Sequence, residues 1–212
     1  ELERHTEALA LLRQELSETE RILGPEHAST LVSRLNVALT RAYAGEKDEG
    51  LTDLGAILAD CERLLEPDHP VNFQAHHALA DVLIQVGDRP GAELEIRAAI
   101  EGRRRIFGET HPLTLRSLDT LTYLLAESRR HEEVVRELSA VRAALRAKPA
   151  AEVETALLAK LLDDLGSSLL SLGRHEEALP ILREASALGD PDQAARNARL
   201  IEAAERRAAA SR

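Results

Sequence analysis

Several residue types are scarce or missing in this chain of 212 residues, and their scarcity excludes several classes of protein. Aromatic residues make up only 2% of the sequence, which argues against β-sandwiches and β-barrels, because strands prefer aromatic and β-branched side chains. It also argues against a platform for single-stranded nucleic acid, which needs aromatic faces for base stacking. Nearly every apolar residue is Ala, Leu, Val or Ile, which indicates helices. Methionine is absent, so the chain is interpreted as a fragment or processed piece of a longer protein.

Cysteine and positive charge are also in short supply. Cys61 is the only cysteine, so no intramolecular disulfide can form, which predicts a reducing, cytoplasmic location. The 27 basic residues are outnumbered by 37 acidic ones, and the net charge is −10. Such a chain repels phosphate backbones, so we expect no direct binding of nucleic acid. No apolar run approaches the roughly 20 residues of a membrane-spanning helix, and we expect no membrane partner.

The chain repeats itself every 42 residues. Similar junctions occur at 24–27, 66–70 and 108–112, and one landmark position in them holds His27, His69 and His111. A second landmark with the same spacing holds Gly45, Gly87 and Arg129. A third landmark is the run that ends each unit, at 21–23, 63–65 and 105–107. Three landmarks in one register are very improbable by chance, so an array of repeats is predicted.

Two further segments belong to the same scheme. The segment 130–134 is matched by 174–178 at a spacing of 44 residues, two more than the usual repeat. We place the two extra residues in the connector Lys148-Pro149-Ala150-Ala151. The segment 4–9 also resembles 174–179. The chain is therefore expected to open in the second half of a repeat.

Each repeat is predicted to contain two helices. Apolar residues follow each junction at helical spacing, and Pro70 and Pro112 suit the first turn of a helix, where no N–H is needed. Gly87 and its equivalents can take the left-handed conformation that ends a helix. The second helix then begins with acidic residues such as Glu132 and Glu133, which favour the positive end of a helix dipole.

The fourth unit resembles the tetratricopeptide repeat. The large, small and glycine positions of that family are held here by Leu162, Leu165, Gly166, Leu169, Gly173, Ala178, Leu182 and Ala185. The period and the junction are similar to the kinesin light chain subtype, over about residues 3–189. The resemblance implies an all-α fold, a right-handed α-solenoid of antiparallel helix pairs with a C-terminal capping helix.

The register also divides the chain, which is expected to form a single array over residues 1–212. The first segment is the second helix of a truncated repeat, four full repeats follow, and a capping helix closes the array. The boundaries are 1–23, 24–65, 66–107, 108–149, 150–189 and 190–212. Asp190 suits the N-cap of the last helix, and Pro191 its first position.

Catalytic and metal-binding motifs are not found in the sequence. No phosphate-binding glycine loop, zinc-protease helix motif or nucleophile elbow occurs, so we expect no enzyme activity, no catalytic residue, no metal and no cofactor. The repeated histidines are interpreted as residues that hydrogen-bond near helix starts, and Cys61 as a small packing residue. The triplet 103–105 is interpreted as a basic helix end, and the pair Asp163 and Asp164 as a mostly solvated helix face.

The resemblance places the binding surface on the concave face, which the first helix of each pair lines. Carrying the register over, the inward residues of the first two full repeats are Leu35, Asn36, Leu39, Tyr43, Gln74, His77, Asp81 and Gln85. Those of the third and fourth are Arg116, Asp119, Tyr123, Glu127, Lys160, Asp163 and Ser167. The set is acidic with isolated cations, which favours an amphipathic partner with some basic character.

The function implied by the resemblance is non-catalytic binding of a protein or peptide. Arginine outnumbers lysine 24 to 3, which is typical of a GC-rich bacterial source such as an actinomycete, where such arrays often form the sensor segment of a larger regulatory protein. Two alternatives remain open. One is a receptor for a small signalling peptide or metabolite, and the other is a self-association module that uses the uncovered half-repeat at 1–23.

Overall fold

A computed structural model of the protein describes residues 2–147 and 155–210. Within these ranges the chain is all-helical and has no strand. The described helices are α1 (Leu2–Leu23), α2 (Ala28–Tyr43), α3 (Lys47–Leu64), α4 (Pro70–Val86), α5 (Arg89–Phe107), α6 (Pro112–Glu127), α7 (His131–Ala147), α8 (Thr155–Ser171), α9 (His175–Leu188) and α10 (Pro191–Ala210). The connector expected at 148–151 lies outside the described residues. None of the described helices combines the length and hydropathy needed to cross a bilayer.

The helices fall into two compact units, Glu1–Ile106 and Phe107–Arg212. In the first unit, α2 packs against α1, α3 and α4, and α3 also packs against α4. Leu31, Leu54 and Val82 are fully buried between these helices. Helix α5 meets α4 where the backbone of Gly102 lies against the ring of Phe73. Since α2 and α4 contact each other, the first helices of two successive pairs lie side by side.

The second unit follows the same scheme. Helix α8 contacts α6, α7 and α9, and α10 packs on α9. Leucine is the commonest residue of the core, with Leu118, Leu165 and Leu182 at most 1% exposed, and valine and alanine supply most of the rest. Here α6 and α8 are the first helices that lie side by side.

His27, His69 and His111 cap helices, which confirms the interpretation of these three as junction residues that hydrogen-bond near helix starts. The Nδ1 atoms of His27, His69 and His111 accept hydrogen bonds from the backbone N–H two residues further on, at 3.1, 3.3 and 3.2 Å. Such a bond satisfies one of the amides that a helix start leaves without a partner. Pro70 and Pro112 lie in the first turn of their helices, as expected.

A second contact closes each junction, and the sequence analysis did not identify it. The Thr30 hydroxyl donates to the Gly24 carbonyl at 2.7 Å, and the Thr114 hydroxyl donates to the Gly108 carbonyl at 2.9 Å. In the repeat between them, the Asn72 amide donates to the corresponding carbonyl of Glu66 at 2.9 Å. All three donor residues are buried. The 42-residue spacing of these three polar residues is the signal that could have revealed the contact.

The break between the two helices of a pair uses the left-handed backbone conformation, as predicted. Gly87 has φ +87° at the end of α4. The equivalent Arg129, after α6, takes φ +56° although it carries a side chain. A left-handed non-glycine residue is strained, by about 1 kcal/mol or more.

Two smaller predictions are also confirmed. Asp190 caps α10, since its Oδ1 accepts from the backbone N–H of Gln193 at 2.7 Å. Cys61 is fully buried in the core of the first unit. Burial raises the pKa of the Cys61 thiol to about 11, so the thiol stays protonated near neutral pH.

Candidate binding surface

The exposed side of α2 and α4 forms the candidate surface of the first unit, called here the α2/α4 face. Residues three, four and seven positions apart share one side of a helix, which brings the candidate residues of each helix together. The face contains Asn36, Leu39, Tyr43, Gln74, His77, Asp81 and Gln85, all partly or well exposed.

Leu35 departs from this expectation. Its side chain is only 1% exposed and belongs to the hydrophobic core between α2, α3 and α4. A neighbouring position on a helix points about 100° away, which is enough to move a side chain from the surface into the core. Leu35 is therefore a packing residue, and the α2/α4 face does not include it.

Tyr43 is the large aromatic side chain of the α2/α4 face. It is 38% exposed. Its ring centroid lies 5.7 Å from that of His5 on α1, in a tilted arrangement. Burial raises the pKa of the Tyr43 hydroxyl, and the charge of Asp81 on the neighbouring helix raises it further. Tyr43 and Asp81 are therefore close enough to interact electrostatically across α2 and α4.

Asp81 ends a chain of polar groups that begins in α5. The Arg103 guanidinium donates to Nδ1 of His77 at 3.3 Å. Nε2 of the same imidazole faces the Asp81 carboxylate at 3.6 Å. Burial raises the pKa of Asp81 to about 6, and Arg103 opposes the shift without cancelling it. A carboxylate on this surface is thus only partly compensated by its own protein.

Arg103 is a polar residue of this site that the sequence analysis missed. It was interpreted as part of a basic helix end, but it is only 5% exposed and contacts His77. The register carried the signal, because Arg103 stands 42 residues after the fully buried Cys61. Its neighbour Arg105 does behave as a helix-end residue and pairs with Asp68.

The second unit presents a corresponding surface on α6 and α8, called here the α6/α8 face. Arg116, Tyr123 and Glu127 are exposed on α6. The Lys160 ammonium of α8 forms an ion pair with Asp119 of α6 and bridges the two helices. Asp163 and Ser167 complete the face on α8, both partly exposed.

The pair of adjacent acids on α8 is less solvated than expected. Asp163 and Asp164 are both partly buried. Burial raises the pKa of Asp164 to about 6, while Lys160 lowers it and the nearby Asp119 and Asp163 raise it. Burial also raises the pKa of Asp163, and Asn197 and Arg196 oppose that shift. The interpretation as a mostly solvated face is therefore wrong for this pair.

These surfaces can bind through hydrogen bonds, ion pairs and aromatic contacts. Among the described residues, no group of three or more His, Cys, Asp or Glu side chains is arranged to hold a metal ion. The one cysteine is buried and protonated.

Helix pairs joined by short junctions, repeated in register, define a helical-repeat protein. A family model described as tetratricopeptide repeat matches residues 30–71, 76–113 and 158–189, just over half of the chain. The chain therefore belongs to the tetratricopeptide repeat family, whose members are non-catalytic scaffolds that typically mediate protein–protein interaction. A search of curated proteins finds no match to the chain.

Solved structures show the same fold at low sequence identity. The nearly identical TPR-like repeats assigned to kinesin light chain in Podosopora anserina share 22% identity, with a TM-score of 0.70, over 87% of this chain and 86% of that one. BtubC (BKLC) from P. vanneervenii shares 16% identity, with a TM-score of 0.74, over 87% and 73%. MamA (AMB-1) shares 21% identity, with a TM-score of 0.56, over 87% and 89%. The all-α solenoid fold is thereby confirmed, and it is similar to that of kinesin light chain-like proteins with tetratricopeptide-type repeats.

Proposed function

We propose that this chain binds a peptide segment of a protein partner through the first-helix faces of its repeats. The observation that carries the proposal is the placement of the two tyrosines. Tyr43 and Tyr123 are 38% and 47% exposed, each on a first helix. Tyrosine is enriched where proteins bind one another, because its ring supplies contact area and its hydroxyl a hydrogen bond.

The polar residues around the tyrosines support the same function. His77, Asp81 and Gln85 lie on one side of α4 and are partly exposed, so they can bond a peptide backbone or a polar side chain. Family membership gives the general role of protein interaction. The partner's character, amphipathic with some basic residues, follows from the acidic balance of the chain.

The test is selection of ligands from a displayed library of random peptides. The wild-type chain is compared with a triple variant of the faces, His77→Ala, Arg116→Ala and Tyr123→Ala. A matched variant carries three alanines at exposed residues of second helices, Glu49→Ala, Arg136→Ala and Glu176→Ala. We expect peptides that bind the wild type and the matched variant but not the face variant. Peptides that bind all three equally would refute the assignment to the first-helix faces.

A receptor for a small ligand is the second candidate, and a cavity in the second unit favours it. Residues of α8, α9 and α10 line a cavity of about 370 Å³. Its lining includes the apolar Leu170 and Leu200 and the polar Ser167, His175 and Arg207. A thermal-shift screen with amphipathic metabolites tests this function, and stabilisation that Leu200→Arg abolishes would support it.

Self-association is the third candidate, and the exposed apolar residues of α1 favour it. Leu11 is 69% exposed and Ile22 is 65% exposed. Sedimentation at increasing concentration tests this function, with Leu11→Glu as the variant that should abolish any dimer. For each candidate we propose a cytoplasmic location and a role as the interaction segment of a larger bacterial regulatory protein.

A further inference from the structure

We infer that the α2/α4 face captures the cationic side chain of a basic peptide, an arginine or a lysine, between the ring of Tyr43 and the carboxylate of Asp81. The inference rests on the proposed peptide-binding function and adds to it the chemistry of one subsite. Tyr43 lies in the last turn of α2 and Asp81 in the C-terminal half of α4, and these two helices are in contact. The pair therefore brings an aromatic ring and an acid together from neighbouring repeats.

Tyr43 offers the aromatic half of such a site. Tyr43 is 38% exposed, and its ring meets that of His5 in a tilted rather than stacked arrangement, at an interplanar angle of 33°. A guanidinium or ammonium group is attracted to the negative face of an aromatic ring, most strongly where water is partly excluded. Arginine can in addition stack its planar group on the ring.

Asp81 offers the charged half. Its side chain is 27% exposed, so a ligand can reach the carboxylate. The groups that face it are His77 on its own helix, Tyr43 on α2 and Arg103 on α5. The ammonium of Lys47 on α3 donates instead to the backbone carbonyl of Gln85, one helical turn after Asp81. Burial raises the pKa of Asp81 even with Arg103 nearby. A second cation at the exposed side would stabilise the ionised carboxylate.

The second unit holds a related grouping, in which the acid and the tyrosine share one helix and a lysine already pairs with the acid. Tyr123 is 47% exposed and lies four residues after Asp119 and four before Glu127 on α6, so all three share one side of the helix. The ammonium of Lys160 pairs with Asp119 there. An acid beside a tyrosine thus holds a lysine of the chain itself in one unit, whereas among the residues that the structure describes the ion-pair partner of Asp81 is His77.

The long-range charge of the protein favours the same occupant. With a net charge of −10, the chain attracts basic segments and repels acidic ones, which raises the encounter rate with the proposed ligand. General attraction alone would not depend on Tyr43 or Asp81, so the test must separate the two effects.

The absence of tryptophan makes Tyr43 a direct reporter. The chain contains two tyrosines and no tryptophan, so in a Tyr123→Phe background the intrinsic emission comes from Tyr43 alone. The probe is a short peptide that alternates alanine and arginine, which contributes no emission of its own. The matched peptide carries citrulline in place of arginine, because citrulline keeps the shape and loses the charge.

We expect the arginine peptide to change the emission of Tyr43 saturably and the citrulline peptide to bind at least about fivefold more weakly. Asp81→Asn should weaken the arginine peptide about five- to tenfold, measured by calorimetry. The control Glu15→Gln removes an equal charge at an exposed position of α1 and should change affinity less than twofold. Far-UV circular dichroism establishes that each variant is folded.

Three outcomes would overturn the inference. They are equal binding of the two peptides, equal weakening by Asp81→Asn and Glu15→Gln, and no saturable change of Tyr43 emission. The proposed function fails separately, through the displayed library. If the selected peptides depend on the first-helix faces but contain no arginine or lysine, the peptide-binding function stands and the cationic subsite does not.

Discussion

Replacement of Asp81 by asparagine is expected to stabilise the fold at neutral pH. Burial raises the pKa of this carboxyl from its ordinary value of 3.8 to about 6 in the folded protein. Above pH 6 the group is ionised in both states, and the folded protein carries the unfavourable partly buried charge. A difference of about 2 between the folded and unfolded pKa values corresponds to about 2.7 kcal/mol of unfolding free energy. Because the side chain is still 27% exposed, solvent screens part of the unfavourable charge. We therefore expect Asp81→Asn to raise the free energy of unfolding by about 1 to 2 kcal/mol.

The sign of the pH dependence follows from the same shift. The folded state retains a proton that the unfolded state releases between about pH 4 and pH 6. This group therefore makes the wild type more stable as the pH falls through 6, and its unfavourable contribution has disappeared near pH 4. Asp81→Asn carries no charge at either pH, so its advantage over the wild type should be present at about pH 7.5 and absent at about pH 4.

Equilibrium unfolding in urea, followed by far-UV circular dichroism, measures the difference at the two pH values. Glu15→Gln is the control for loss of one acidic charge at an exposed site, and it should change stability by less than about 0.5 kcal/mol. The reasoning would be refuted if Asp81→Asn lowered stability at about pH 7.5. That result would mean that Arg103 and His77 stabilise the carboxylate more than burial destabilises it.

Three further substitutions test the fold. Arg129→Gly should raise the free energy of unfolding by about 1 kcal/mol, because glycine takes φ +56° without strain. Arg129→Ala keeps a Cβ and should leave the free energy of unfolding unchanged. His69→Ala should lose about 1 kcal/mol through its missing N-cap, and His69→Asn, which restores an acceptor, should stay near the wild type. Gly102→Ala should destabilise by about 1 to 2 kcal/mol, because the new Cβ would overlap the Phe73 ring. Helix propensity alone predicts the opposite sign for Gly102→Ala, so chemical denaturation decides between packing and propensity.

The sequence predicts the helices of this protein well because the junction repeats. Histidine and proline at helix starts, and residues that take the left-handed conformation at helix ends, act within a few residues of themselves. Their effect is local and does not depend on the rest of the fold. Three copies of His27 and its equivalents in one register are enough to place the helix starts, and the structure has a helix beginning at each.

Burial was harder to predict for charged side chains. The sequence analysis interprets Arg103 as part of a basic helix end and Asp164 as part of a mostly solvated face, but Arg103 is only 5% exposed and Asp164 is partly buried. A helical period shows on which side of a helix a residue lies, but not how closely the next helix approaches. That distance depends on small residues elsewhere, such as Gly102 against Phe73, and only the packed structure sets it.

For the candidate surface, too, the sequence predicts which helix carries a residue better than it predicts whether that residue is buried. The register assigned Tyr43, Asp81 and Tyr123 to first helices, and the structure gives each of them exposed area. It also assigned Leu35, which is buried, because a register cannot separate adjacent positions at the edge of a helix face. Side-chain contacts between helices, such as that of Arg103 with His77, could not be predicted from the sequence pattern, because the pattern does not show which side chains of different helices meet.

The register itself indicates where specificity resides in the array. Positions that form the core keep one kind of side chain from repeat to repeat, as with Leu79, Leu121 and Leu165. The position of Asp81 does not, since its equivalents are Leu39 and Tyr123. A scaffold that needed only stability would hold a neutral residue there, because the ionised carboxylate is partly buried and only partly compensated. Local departures of this kind are expected at functional sites, where stability gives way to binding, and this is the physical reason for placing the cationic subsite at Asp81.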